Sequence, residues 1–121
     1  MTDEIYHELI LELARNPLNK GTPAVFDDKF IAQNRVCGDN LIFYISWDKA
    51  DAVSEITWDG DGCALSVSSA SLFSEYLKGK TKSEIKKIKP AQILKLLKIK
   101  KLNPSRSKCA YLPLESFQNS K

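Results

Sequence analysis

Three cysteines and one aspartate are the residues of this sequence with the clearest capacity for chemistry. Cys37, Cys63 and Cys109 are 26 and 46 positions apart, and Asp39 follows the first of them by two residues. Neither spacing is the close Cys-x-x-Cys pair of zinc ribbons or thioredoxin-like redox sites. Three thiolates and a carboxylate would complete a tetrahedral zinc or iron site if the fold brought them together. On spacing alone, three unrelated buried cysteines are an equal alternative.

The stretch around Cys63 indicates a strand that turns directly into a helix. Gly60 and Gly62 permit backbone conformations closed to other residues and allow close approach of another backbone. Ser66 is the expected N-cap of the helix that follows. Cys63 would then lie near the positive end of that helix, where a thiolate is favoured.

Each cysteine is placed in a junction rich in residues that interrupt helices and strands. The first adjoins Gly38, the second adjoins Gly62, and the third follows Pro104. Such junctions are the ends of elements, which a compact fold can bring to one place. We therefore expect the three sulfur atoms to converge in one solvent-accessible pocket.

The elements between these junctions predict a three-stranded antiparallel sheet. A first strand is expected over Ala24–Ala32, with Phe26 and Phe30 as its bulky residues. Apolar and other side chains then alternate over 41–47 and again over 52–58, the period of strands with one buried face. A short connection between the last two favours a hairpin, and the simplest arrangement is a β-meander.

Helical patterns flank this sheet on both sides in sequence. Asp3 is expected to cap a first helix, and the helix after Cys63 should close at Gly79. Ser83 is expected to cap a short helical turn, and Pro90 to start another helix. Pro113 would fit the last segment only near a helix start.

Composition and charge restrict the class of protein. The 121 residues are expected to form one domain, 1–121, and no apolar run approaches the ~20 residues that span a bilayer. An odd number of cysteines without a secretion signal favours reduced thiols and a cytoplasmic location. The net charge of +3 divides into −7 for residues 1–62 and +10 for residues 63–121. Such asymmetry suggests a charged partner.

Several motifs together carry a resemblance to a known family. Residues 16–21, Asn-Pro-Leu-Asn-Lys-Gly, resemble an early Pro-x-Asn-x-Gly element, and Cys-Gly-Asp at 37–39 is identical to a first ligand motif. Residues 60–71 are similar to a second ligand motif, and 106–110 supply a third cysteine. In this order, the motifs resemble the IscU/SufU/NifU scaffold family of iron–sulfur cluster assembly. The resemblance implies an α+β, SufE/NifU-like fold: a three-stranded antiparallel β-meander with helices packed on it, and one exposed metal or cluster site.

The resemblance implies two modes of action for the same four residues. As a scaffold, the protein would hold a nascent [2Fe–2S] cluster on Cys37, Cys63 and Cys109, with Asp39 as a labile oxygen ligand. As a zinc-dependent sulfurtransferase, it would bind Zn²⁺ there and accept persulfide sulfur on Cys37. Only the second would be an enzyme in the usual sense. The implied partners are a cysteine desulfurase of the SufS/IscS type and downstream iron–sulfur acceptor proteins, with no membrane. Four residues are expected to support the site: Arg106, Lys108, Gly38 and Gly62.

The subtype within the family is mixed. IscU-type members carry a histidine immediately before the third cysteine, where this chain has Lys108. The Cys-x-x-Ser pattern at Cys63 and Ser66 is closer to SufU-type members, but the usual SufU-type insertion before the third cysteine is absent. Two alternatives stay open: a lysine-rich nucleic-acid-binding module, which lacks the interleaved aromatics that base stacking needs, and a purely structural zinc protein.

Overall fold

A computed structural model describes residues 8–34, 38–99 and 104–118, and the side chain of Ser105 lies outside that description. Eight elements occur in these ranges, in the order α1 (Glu8–Arg15), β1 (Asp28–Asn34), β2 (Asp39–Trp47), β3 (Val53–Asp61), α2 (Ala64–Leu77), α3 (Lys82–Lys86), α4 (Pro90–Leu97) and α5 (Pro104–Gln118). The expected helix cap at Asp3 lies outside the described residues, as do Cys37 and the segment 100–103. None of the described helices has the length and apolar character needed to cross a membrane.

The three strands form one antiparallel sheet in the order β1-β2-β3, which confirms the predicted meander and α+β class. The period-two pattern explains why one face is buried: Leu41, Phe43 and Ile45 of β2 are fully buried. The inner face packs against α2 and α5. Phe43 lies 6.4 Å from Phe73 of α2 and 5.2 Å from Phe117 of α5, ring centre to ring centre. This aromatic cluster joins the sheet to both helices.

The limits of two strands differ from expectation. β1 begins at Asp28 rather than Ala24, and Val25 is 78% exposed because it precedes the paired region. β1 also continues to Asn34, which pairs with Asp39. β3 runs three residues beyond the expected end because Gly60 and Asp61 continue the ladder with β2. These longer strands carry the sheet up to the junctions where Asp39 and Cys63 lie.

The short helix α3 begins two residues earlier than the sequence suggested. Thr81, not Ser83, is its N-cap: the Thr81 hydroxyl accepts from the Glu84 N–H at 3.2 Å. The Glu84 carboxylate accepts in return from the Thr81 N–H at 2.9 Å, completing a capping box. Pro90 does begin α4, as predicted. Gly79 follows the C-cap of α2 with a φ of +84°, consistent with its predicted role in ending that helix.

The segment 16–21 connects the helical layer to the sheet. The Leu18 N–H donates to the Ser71 hydroxyl of α2, and Asn19 donates to the hydroxyl of Ser74 at 2.9 Å. On its other side, the Trp58 indole N–H of β3 donates to the Leu18 carbonyl at 2.8 Å. The Pro-x-Asn-x-Gly element thus holds α2 against β3, the two elements that meet at Cys63.

Candidate metal centre

Asp39, Cys63 and Cys109 converge at one end of the sheet. Their ligand atoms, one carboxylate oxygen and two sulfurs, all lie within 4.8 Å of one another. The topology accounts for this, because Asn40 at the start of β2 pairs with Asp61 at the end of β3. Asp39 and Cys63 are therefore neighbours across the sheet edge. α5 packs against α2 and adds Cys109 from the helical side.

Close backbone approach makes this junction possible. Gly60 has a φ of +134°, and a Cβ atom there would lie 2.0 Å from the Asn40 carbonyl oxygen. A Cβ at Gly62 would lie 3.2 Å from the Asp39 carboxylate and 2.9 Å from the Cβ of Ser66. The two glycines therefore let β3 and the start of α2 close around Asp39, as the sequence pattern suggested.

The end of β3 is held in place by a hydrogen-bonded aspartate. Asp59 accepts from the Gly60 N–H at 2.8 Å and from the Thr22 hydroxyl at 2.9 Å. These donors favour the charged carboxylate and hold the pKa of Asp59 below its usual value. The strand is thereby tied to the 16–22 segment immediately before it leads into the site.

The Asp39 carboxylate is buried, with 2% of its surface exposed, and both of its oxygens accept hydrogen bonds. The Cys63 N–H donates to Oδ1 at 3.2 Å, and the Ser66 hydroxyl donates to Oδ2 at 2.5 Å. Buried carboxylates require such partners. The two bonds hold the carboxylate beside the sulfur atoms.

Cys63, rather than Ser66, is the N-cap of α2, with extended backbone angles and no capping bond from its side chain. The prediction of a cysteine at a strand-to-helix junction is thus confirmed, whereas the predicted cap at Ser66 is wrong. Ser66 lies in the first turn of the helix and is fully buried. Residues three apart lie on one side of a helix, so Ser66 is on the same side as Cys63. The Ser66 hydroxyl and the Cys63 N–H therefore both face Asp39.

Cys109 lies in the second turn of α5 rather than at a loop end, which corrects the expected placement after a breaker. Pro113 lies inside the same helix, not near its start. A proline has no N–H and cannot donate to the carbonyl four residues earlier, which is that of Cys109. The Ser66 hydroxyl approaches this carbonyl oxygen at 3.4 Å.

Four other residues were predicted to belong to the site or to support it: Cys37, Gly38, Arg106 and Lys108. Cys37 lies outside the described residues, and its predicted role is untested. Gly38 is exposed with a φ of +77°, and its N–H donates to the Asn34 carbonyl at 2.8 Å. Lys108 is exposed and Arg106 is half-buried, both in the first turns of α5.

The donor set fits a zinc or iron centre. Two thiolates and one carboxylate are ligands that both metals accept. Tetrahedral bonds of about 2.0–2.3 Å place donor atoms roughly 3.5–3.8 Å apart, so the observed group needs to contract by about 1 Å. The fourth tetrahedral position is left for a further donor. Asp39 and Cys109 are buried and Cys63 is half-buried, so the described part of the site is more enclosed than expected.

The sequence did not predict that the Ser66 hydroxyl donates a hydrogen bond to Asp39. The two are 27 positions apart, and no local pattern connects them. The available signal is the one-turn spacing from Cys63 to Ser66, which places a hydroxyl on the same side of the helix as its N-terminal thiol.

The NifU-like N terminal domain family matches residues 5–120 of this chain. The chain therefore belongs to this family, which confirms the resemblance drawn from its motifs. It is 34% identical to the "Zinc-dependent sulfurtransferase SufU" of Bacillus subtilis over 80 residues, 64% of this chain and 52% of that protein. The alignment thus spans about half of that relative's length. It is also 30% identical to the "Iron-sulfur cluster assembly enzyme IscU" of Drosophila melanogaster over 120 residues, 94% of this chain and 74% of that protein.

Solved structures agree with this fold. A SufU-type scaffold protein from Fervidobacterium islandicum superposes with a TM-score of 0.82 at 24% identity, covering 99% of this chain and 98% of the other. The N-terminal part of a NifU-like protein from Brucella abortus superposes with a TM-score of 0.77 at 22% identity, covering 97% and 92%. At these identities the likeness shows the α+β fold alone.

Proposed function

We propose that this chain is an iron–sulfur cluster assembly scaffold that builds a [2Fe–2S] cluster on Cys37, Asp39, Cys63 and Cys109 and passes it on. The observation that carries the proposal is the convergence of Asp39, Cys63 and Cys109 within 4.8 Å in a member of this family. Cys37 precedes Asp39 by two residues in sequence, and in this proposal it supplies the fourth donor. A hard carboxylate is a weaker partner for an iron–sulfide unit than a thiolate, which suits release of the cluster.

In this proposal, sulfur arrives as a persulfide on a cysteine desulfurase. The Cys37 thiolate attacks the outer persulfide sulfur, the desulfurase S–S bond breaks, and the desulfurase cysteine leaves as a thiolate. The reaction exchanges one S–S bond for another and needs no external oxidant or reductant. Cys37 then carries the sulfur as a persulfide. To enter a [2Fe–2S] cluster this sulfur must be reduced to sulfide, and in the proposal the electrons come from ferrous iron together with an external thiol reductant.

A second candidate function is zinc-dependent sulfur relay. The likeness to the Bacillus protein, whose name states zinc-dependent sulfurtransfer, and the fit of the donor set to zinc favour it. Here the same four residues would hold Zn²⁺, which favours deprotonated thiols, and Cys37 would accept the sulfur. The relay ends with persulfide passed to an acceptor protein, not with a cluster.

The two candidate functions imply a domain organisation, a location and partners for the protein. We infer a single domain over 1–121, a cytoplasmic location, and two kinds of partner: a cysteine desulfurase and iron–sulfur acceptor proteins. Arg106 and Lys108 would attract the anionic persulfide or cluster, since both lie on α5 next to Cys109.

Reconstitution tests the two candidates directly. The chain is incubated without oxygen with ferrous iron, cysteine and a cysteine desulfurase. Visible absorbance is recorded with an added thiol reductant, which supplies the electrons for cluster sulfide, and mass spectrometry is done without it, so that a persulfide survives. A cluster band that is lost in Cys63→Ser and Cys109→Ser supports the scaffold, whereas persulfide on Cys37 with zinc retained supports the relay. Asp39→Ala should change the lifetime of the bound cluster, while Asp61→Ala, an exposed carboxylate two residues before Cys63, should not. Absence of both cluster and persulfide would contradict both candidates.

A further inference from the structure

Ser66 is a buried residue whose hydroxyl contacts all three donor residues of the candidate metal centre. It is fully buried, and its Oγ lies 2.5 Å from Asp39 Oδ2, 3.4 Å from the Cys109 carbonyl oxygen and 3.6 Å from Cys63 Sγ. These three contacts connect it to each of the three donor residues. No other serine of α2 for which the structure gives contacts touches the donor set.

The distances decide where the hydroxyl proton is directed. A serine hydroxyl has one proton to donate and two lone pairs. A carboxylate is the strongest acceptor of the three, and 2.5 Å is the length of a charge-assisted O–H···O⁻ bond. The proton therefore points to Asp39, and the longer contacts to Cys63 and Cys109 are secondary.

We propose that Ser66 is a positioning residue that keeps the Asp39 carboxylate among the metal donors and so sets how tightly the centre holds its metal. This inference rests on the proposed function, because it concerns the same site. The carboxylate is held by two bonds, of which the one from the Cys63 backbone is longer. Without Ser66, Oδ2 loses its hydrogen-bond partner in a buried environment, and the carboxylate gains freedom to rotate away from the sulfurs.

Ser69 supplies a matched control on the same helix. It is 1% exposed, and its hydroxyl donates at 2.5 Å to the carbonyl of Ala110, the residue after Cys109. Ser69→Ala therefore removes a buried hydroxyl bonded to α5, as Ser66→Ala does, but removes no contact to a donor residue. A difference between the two variants therefore reports the contacts of Ser66 with the donor residues, of which the bond to Asp39 is the shortest.

The experiment measures zinc affinity by competition with a chromophoric chelator on the full chain. Ser66→Ala should lower the affinity about tenfold or more, the usual effect of removing a partner of a metal ligand, whereas Ser69→Ala should stay within about threefold. Cobalt(II) substituted for zinc gives a second readout. Its visible absorption should shift in Ser66→Ala and not in Ser69→Ala, because the geometry of the oxygen ligand changes only in the first.

A double substitution tests whether Ser66 acts through Asp39. In the Asp39→Ala background, adding Ser66→Ala should leave zinc affinity unchanged within about twofold, since there is no carboxylate left to orient. If Ser66→Ala alone does not fold, the Asp39→Ala background still allows the comparison, because it contains no buried carboxylate that loses its partner. A further loss of affinity on adding Ser66→Ala there would contradict the proposal.

The outcomes separate this inference from the proposed function. Equal losses of affinity in Ser66→Ala and Ser69→Ala, with tight binding by the unmodified chain, would overturn the role of Ser66 alone. An unmodified chain that binds zinc no better than the triple variant Asp39→Ala, Cys63→Ser, Cys109→Ser would overturn the metal centre and, with it, this inference.

Discussion

Gly60 illustrates how a single residue without a side chain shapes the site. It combines a φ of +134° with the close approach of the Asn40 carbonyl, so both backbone angle and space exclude a Cβ atom. The contact is backbone to backbone and lies one residue from Asp39. A rotamer change cannot relieve it.

We expect Gly60→Ala to lower the free energy of unfolding by about 3 kcal/mol, from backbone strain and overpacking together. Gly79→Ala is the control, because Gly79 also has a positive φ, +84°, but nothing lies within 4 Å of its Cβ position. In Gly79→Ala, backbone strain alone should lower the free energy of unfolding by about 1 kcal/mol. Urea denaturation of both variants measures the difference, and similar losses would show that the close approach to Asn40 is not what requires the glycine.

At the scale of elements, α3 depends on its cap because it has only five residues. Glu84 accepts from the Thr81 N–H, and this bond holds the pKa of Glu84 below its ordinary value of 4.5. Since the folded-state pKa is lowered, this contribution is present above about pH 4.5 and is lost as the pH falls through the folded-state pKa. Ile85, in the same helix, is buried in the core.

Replacing Thr81, the observed cap, should lower the free energy of unfolding more than replacing Ser83, the cap predicted from the sequence. Thr81→Ala should lower the free energy of unfolding by about 1 kcal/mol at neutral pH, because a helix N–H loses its acceptor. Ser83→Ala should change it by less than about 0.5 kcal/mol, since Ser83 is exposed. Thermal and urea unfolding compare the two, and a larger loss in Ser83→Ala would refute the assignment of the cap.

At the scale of the whole molecule, charge is divided between the sheet and the later helices. Residues 1–62, which include α1 and the three strands, carry −7, whereas residues 63–121 carry +10. Some of these lysines interact with other residues of the fold. Lys78 forms an ion pair with Glu75 at 3.1 Å, and Lys82 Nζ lies 4.9 Å from the ring centre of Trp47. Lys86 and Lys87 at the end of α3 are exposed. They are candidates for electrostatic attraction to an acidic partner.

Reversing charge on this face should slow association with the cysteine desulfurase that we propose as a partner. We expect Lys86→Glu with Lys87→Glu to lower the association rate constant about tenfold at low salt, and the effect to shrink as salt is added. Lys29→Glu with Lys49→Glu is the control, because both lysines are exposed on the sheet side and the net charge changes equally, from +3 to −1. Stopped-flow association measures both variants. Equal effects would indicate that net charge, and not this face, governs the encounter.

Local patterns in the sequence were sufficient for the sheet, several helices and the donor types. Alternating apolar residues over 41–47 predicted β2, and Pro90 predicted the start of α4, because these signals depend on neighbours in the chain. The glycines around Cys63 predicted the strand-to-helix junction for the same reason. Thiolate and carboxylate donors can be recognised by their chemistry alone.

Tertiary structure decided what depends on contacts between distant residues. Asp39 and Ser66 are 27 positions apart, yet their hydrogen bond holds the carboxylate in place. The position of Pro113 inside α5 goes against local propensity, and the sequence pattern had placed it only near a helix start. By itself the sequence determined which groups can bind a metal. Only the packing of α2 and α5 on the sheet determined that Asp39, Cys63 and Cys109 meet, because long-range burial sets their distances and no local pattern encodes it.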